Sequence, residues 1–301
     1  MKTSPIEKLI APNLLWRIWK KIRFYFFVDQ WMILISRDAD HKSLVWKNLK
    51  TLTPPIDRFW ADPFVWNHDG KYYVFLEEVP YSTHRGRIIC LTLDKELNIE
   101  SNQVVLEKPY HLSYPFIFEY ESQLYMIPET GGNNRIELYR CAQFPHQWEF
   151  ERSLMEDISA LDVTLLEANG KWWLFTYIPQ KSKTKWDTLH LFYADNPLSN
   201  QWTPHPKNPI VNDIHSARPA GRIFFEDGRL IRPAQDSSTR YGFGVTFSEI
   251  VTLSETDYVE RYDHSFRPSP ETSFRAVHTY NEMNGVTVID AILRRWKIFH
   301  G

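Results

Sequence analysis

Asp62 and Asp162 each stand one residue into a recurring sequence unit, so they have matching places in distant parts of the chain. Two carboxylates that converge in this way are the equipment of glycosidic-bond chemistry. One protonates the leaving oxygen, and the other acts as base or nucleophile. Tyr114 and Arg218 hold the same place in two further units, and His278 follows the start of a fifth. A second set, Glu77, Glu78, Glu129, Arg232 and Asp236, falls at or just after the second half of a unit. Glu77, Glu78 and Glu129 are candidates for a proton donor. Arg218, Arg232, Asp236 and His278 are candidates for holding substrate, and Tyr114 for an aromatic wall against a sugar ring. The arginines suit a carboxylate or phosphate, because a guanidinium fork binds such groups bidentately. Each reading has a structural rival. A strand-start aspartate also bonds backbone amides, and the arginines also neutralise Asp62, Asp162 and Asp236, Arg222 most of all.

The unit that carries these residues sets the fold. It reads ADPFVWNHDGKYYVF at 61–75, SYPFIFEYESQLYMI at 113–127 and LDVTLLEANGKWWLF at 161–175. It returns as ARPAGRIFFEDGRLI at 217–231 and RAVHTYNEMNGVTVI at 275–289. Each is an apolar run, a short polar turn and a second apolar run. Four turns hold Asp-Gly or Asn-Gly, which supply the positive φ angles of a tight hairpin; the second has Glu121-Ser122 and is the least regular. Spacings of 48 to 58 residues leave room for four short strands per unit. Further strands are expected at Arg87–Leu93, Gln103–Leu106, Ile136–Cys141, Trp148–Arg152 and Leu189–Ala194. The chain runs out after the second strand of the fifth unit, while Met32–Arg37 and Ser43–Leu49 read as strands ahead of the first. The expectation is an all-β, five-bladed propeller over 31–301, its last blade closed by strands from both chain ends. Innermost strands of a propeller line its channel, which brings the candidate residues to one axial site.

Residues 1–30 form a separate basic segment. Asn13 is placed to cap a short helix to about Phe27, with Leu15, Ile18, Trp19, Ile22 and Phe26 on one face. This helix either packs on the propeller or lies on an anionic membrane surface through Arg17, Lys20, Lys21 and Arg23. A net charge of -2 provides no field for nucleic acid. Two cysteines build no disulfide framework. Neither a secretory signal nor an apolar run long enough to span a bilayer is visible. A cytoplasmic protein, peripheral at the inner membrane surface, is expected. No phosphate-binding loop, dinucleotide fingerprint or clustered His/Cys spacing points to a cofactor or a metal.

Two resemblances add to this. Ala61-Asp62-Pro63-Phe64 with Gly70-Lys71-Tyr72-Tyr73, and Leu161-Asp162-Val163 with Gly170-Lys171-Trp172-Trp173, resemble segments of the arabinanase and xylosidase propeller hydrolases. By that likeness Asp62 is the general base and Asp162 the carboxylate that tunes the acid. That family's acid glutamate is expected near the start of blade four, where this chain has Ser216-Ala217-Arg218-Pro219; an arginine delivers no proton at neutral pH. From about Asp57 onward the chain is also similar to the N-terminal domain of the glucosamine inositolphosphorylceramide transferases, which occurs too in bacterial proteins of surface-polysaccharide assembly. The runs that carry this are Arg58–Phe64, His111–Phe116, Tyr125–Glu129, Trp172–Phe175 and Ala217–Arg222. The resemblance implies a saccharide or glycolipid ligand. It leaves open a carbohydrate-active enzyme and a binding module serving a separate glycosyltransferase.

Overall fold

The computed structural model describes residues 27–37, 41–179, 187–268 and 272–296. They form five antiparallel sheets in a ring. Blade one is Arg58–His68, Lys71–Pro80, Arg87–Leu93 and Ile99–Leu106. Blade two is Ser113–Tyr120, Gln123–Glu129, Arg135–Gln143 and Gln147–Glu156. Blade three has Leu161–Ala168, Lys171–Tyr177 and Thr188–Ala194, then two short pieces, Thr203–Pro204 and Val211–Asn212, both paired to Thr188–Ala194. Blade four is Phe224–Glu226, Arg229–Asp236, Gly244–Leu253 and Tyr258–Phe266. The propeller expected from the repeats is the observed fold.

Ring closure follows expectation with one correction. Phe27–Arg37 pairs along its whole length with Val286–Trp296 and so adds the N-terminal strand to blade five. The outermost strand is Lys50–Leu52, not Ser43–Leu49; Trp46–Asn48 is a turn of 3-10 helix. The exposed Lys47 and Asn48 there satisfy no buried ladder. The helix expected from Asn13 to about Phe27 lies outside the described residues, apart from Phe27, which opens the closing strand. No helix among the described residues is long and apolar enough to cross a membrane.

Apolar side chains fill the wedges between neighbouring blades. Phe116, Ile127, Leu165 and Leu174 pack between blades two and three, and Leu34, Phe247, Tyr280 and Ile289 between four and five. All five hairpin turns place both central residues at positive φ, including Glu121 at 51° and Ser122 at 61°. The second hairpin therefore keeps the geometry of the others without the glycine that makes it easy.

The inner strands share one irregularity. In blade one the register runs Ala61↔Glu77 and then Phe64↔Phe75, so one extra residue is inserted on the inner strand. Blades two and three repeat it at Ser113↔Glu129 to Phe116↔Ile127 and at Leu161↔Tyr177 to Thr164↔Phe175. The bulges put Asp62 at φ 51°, Tyr114 at 43° and Asp162 at 54°. Bulges re-aim a side chain at the rim of a sheet, and a bulky residue such as tyrosine adopts positive φ only where its surroundings impose it.

Candidate functional site

The bulges at Asp62 and Asp162 direct their side chains into a buried network, to which the bulge at Tyr114 lends a backbone N–H. Asp62 accepts from the Tyr114 N–H at 3.3 Å and from the Thr279 hydroxyl at 2.8 Å. Its own N–H donates to Asp290 at 3.0 Å. Asp290 also accepts from the N–H groups of His278 and Thr279 and lies 2.6 Å from His278 Nδ1. His278 Nε2 is 3.6 Å from Asp62. Blades one, two and five are thus cross-linked around one aspartate. Burial, only partly offset by His278, pushes the Asp62 carboxyl up to about 7. Burial works against charge on His278, but Asp290 and Asp62 outweigh it and push the imidazole up to about 9.

Asp162 sits in different company. Arg218 Nε donates to it, and so does Gln235 Nε2 at 3.2 Å. Glu129 lies within hydrogen-bond reach of Asp162, and 3.6 Å from Arg218. Burial first, then the Asp162 charge, raises Glu129 well above the usual carboxylate range.

The network has aromatic walls. Tyr241 lies 5.7 Å from the Arg218 guanidinium and edge-on to His278 at 5.1 Å, and it is 38% exposed. Trp31, from the N-terminal strand, stacks on His278 at 4.3 Å. Gly242 keeps this corner open: a Cβ there would come within 2.8 Å of the Trp31 ring. Tyr177 also lies near the Arg218 guanidinium, at 6.0 Å. His111 is 2.8 Å from Glu77 at the edge of the cluster.

The structure brings together Asp62, Asp162, Glu129, Arg218 and His278 from the residues singled out in the sequence. It separates four others. Glu78 faces away from the channel, where Arg58, Arg87 and the Trp60 indole take its oxygens. Its neighbour Glu77 faces inward, because successive residues of a strand point to opposite sides. The same alternation turns Asp236 to Arg267 and Arg232 to Glu260, while Gln235 between them reaches Asp162. Tyr114 is wholly buried. Its hydroxyl bonds Thr164 at 2.8 Å and accepts from the Gly221 N–H at 2.7 Å, so it is a strut between blades and offers no face to a sugar. Arg222 neutralises none of the aspartates named with it. It donates to the Ile117 carbonyl and stacks 5.1 Å from Phe116.

Trp31, Tyr177, Gln235, Tyr241, Thr279 and Asp290 escaped sequence reasoning. Asp290 had a signal, since a lone acid in the run Val288-Ile289-Asp290-Ala291-Ile292 must be paired once buried. Asp62, His278 and Asp290 also bring one ligand atom each within 4.8 Å of one another. As a cation site the triad is poorly prepared, because the Asp290 oxygens already accept from three backbone N–H groups and face His278.

Comparisons with known proteins agree with this architecture. A family model described as "Glucosamine inositolphosphorylceramide transferase 1, N-terminal" matches residues 49–281. Glucosamine inositolphosphorylceramide transferase 1 of Oryza sativa subsp. japonica is 36% identical over 206 residues, covering 67% of this chain and 27% of that protein. The Arabidopsis thaliana protein of the same name is 34% identical over 209 residues, with the same coverage. The chain therefore spans about a quarter of the length of these relatives. Among solved structures, a family 117 glycoside hydrolase of Zobellia galactanivorans superposes with a TM-score of 0.57 at 11% identity, over 87% of this chain and 90% of that one. The catalytic domain of a Coprinopsis cinerea GH62 α-L-arabinofuranosidase gives 0.56 at 12%, over 77% and 90%. Likeness at such identity shows the fold alone.

Proposed function

The chain belongs to the family of the N-terminal domain of glucosamine inositolphosphorylceramide transferase 1, and from that premise we propose that it is a carbohydrate-active propeller of glycolipid or surface-polysaccharide metabolism, with the axial cluster as its saccharide site. The observation that carries the reading is the Glu129–Asp162 contact. Burial beside Asp162 raises Glu129 well above the usual carboxylate range, the direction a proton donor to a leaving glycosidic oxygen requires, and the start of blade four supplies no carboxyl. In this reading Glu129 protonates the leaving oxygen. Asp62 takes the proton of an attacking hydroxyl or water, or attacks the anomeric carbon itself. Asp162 is the electrostatic partner that keeps Glu129 protonated, and Tyr241 gives the sugar a ring to stack on.

A second reading, a saccharide- or glycolipid-binding module serving a separate glycosyltransferase, is favoured by one observation. Asp62 and Asp162 are only 5% and 1% exposed and already accept hydrogen bonds from inside the protein. Turnover of a panel of aryl glycosides and oligosaccharides by Asp62→Asn and Glu129→Gln separates the two. Catalysis predicts a loss of about 10²–10⁴-fold in each with binding retained. Wild-type protein that binds a saccharide and turns none over supports the module.

A further inference from the structure

Blade three ends differently from its neighbours. Its fourth strand is Thr203–Pro204, two residues, where blades one, two and four have 8, 10 and 9. The chain then crosses back through Val211–Asn212 toward blade four. The shortfall leaves part of the blade-four sheet uncovered, and a cavity of about 670 Å³ opens there. Thr246, Ser248, Glu260 and Tyr262 line it from blade four, and Ile210 and Ser216 from the connection.

Leu166, Phe175, Leu191 and Ile250 pack between blades three and four, but where the cavity opens the floor is polar. Arg232 is 1% exposed; it donates through Nε and Nη2 to Glu260 and through Nη2 to the Ser216 carbonyl. Both acceptors belong to the cavity wall. Nη1 of the same guanidinium is buried with no hydrogen-bond partner among the described residues, as is the hydroxyl of Thr246, itself 3% exposed. Ser248 stands opposite Arg232 in the ladder and Thr246 opposite Ala234, so these groups share one face of the sheet. A buried donor left unbonded is costly enough to demand a partner.

The charges around the cavity are already matched. Arg232 pairs with Glu260, Arg267 with Asp236 at 2.6 Å, and His215 with Asp213 at 2.7 Å. An anion would have to break a pair to bind. What remains on offer from the lining is the hydroxyls of Thr246 and Ser248 and the exposed faces of Tyr262 (61%) and Val259 (44%). Convergent polar groups beside an apolar wall suit an uncharged polyhydroxylated ring.

We infer that the crevice between blades three and four is a binding site for a neutral glycosyl unit, distinct from the axial cluster. Thr246 and Ser248 bond neighbouring hydroxyls, and Tyr262 covers one face of the sugar.

Saturation-transfer NMR and titration of the full chain test this, with methyl α-D-glucoside, methyl α-D-mannoside and methyl β-N-acetyl-D-glucosaminide as neutral probes and glucuronate and glucose 1-phosphate as anionic ones. At least one neutral glycoside is expected to bind, and Tyr262→Ala and Thr246→Val are each expected to raise its Kd by about fivefold or more. Tyr262 is exposed, so its variant reads binding without a folding defect. Three results overturn the inference: no neutral glycoside binds, only the anionic probes bind, or the binding ignores both crevice variants. Binding lost in Asp62→Asn and unchanged in both crevice variants belongs to the axis, and leaves the axial proposal standing while this one falls.

Discussion

Asp62 and Asp162 occupy the same bulge in two blades at nearly the same φ, yet their surroundings differ in kind. Asp62 is held by neutral donors, a backbone N–H and a threonine hydroxyl, with an imidazole 3.6 Å off. Asp162 is held by a guanidinium, with Glu129 beside it. A repeat fixes where a side chain goes, and the neighbouring blade then decides its chemistry. Burial turns Asp62 toward acid–base behaviour near neutrality, with His278 of blade five opposing it, whereas blade four turns Asp162 into one half of an ion pair.

The comparison breaks most readily at Arg218. Arg218→Met keeps the apolar stem but leaves Asp162 buried without its cation. A loss of about 3–5 kcal/mol is expected in urea or guanidinium unfolding, because breaking a buried pair strands a charge. A loss under about 1 kcal/mol would mean that the two aspartates are held alike.

A smaller effect comes from the other side of the ring. His278 titrates at about 9 in the fold against an ordinary 6.5. Because its pKa is raised, the stabilisation is complete below pH 6.5 and is lost as pH climbs through 9, amounting to at most about 3 kcal/mol. Melting temperature should therefore fall from pH 6.5 to 9 in the wild type, and His278→Gln should flatten that slope.

The smallest effect is expected for Asp62→Asn. Since burial already disfavours the Asp62 charge, loss of that charge relieves about as much as the altered hydrogen bonds cost. Unfolding free energy at pH 7 should change by about 1 kcal/mol or less in either direction. A loss as large as that of Arg218→Met would make Asp62 a structural anchor and remove the contrast with Asp162.

The ring itself was legible in the sequence, because five hairpin turns and one spacing recur. The hub positions followed from that recurrence. What misled was alternation and the company of other blades. Glu78 and Asp236 were chosen from the right strands but face outward, while Glu77, named alongside Glu78, and Gln235, which was not named, face the channel. Trp31 and Tyr241 come from the closing strand and from a loop, neither of which the repeat contains. Tyr114 held the right position for a ligand wall, but its hydroxyl is used to tie three blades together. The Ser43–Leu49 segment has strand-like composition, but Trp46–Asn48 within it turns as 3-10 helix.

The clasp between Phe27–Arg37 and Val286–Trp296 also sets a timetable for synthesis. The first of these strands leaves the ribosome some 250 residues before its partner, which at about 5–20 residues per second is roughly 10–50 s. Through that interval Met32, Ile33, Leu34 and Ile35, wholly buried in the closed ring, have no completed sheet to enter. Four blades can assemble while the fifth waits, and the newborn chain carries an apolar strand in need of cover until Val286–Trp296 has been made.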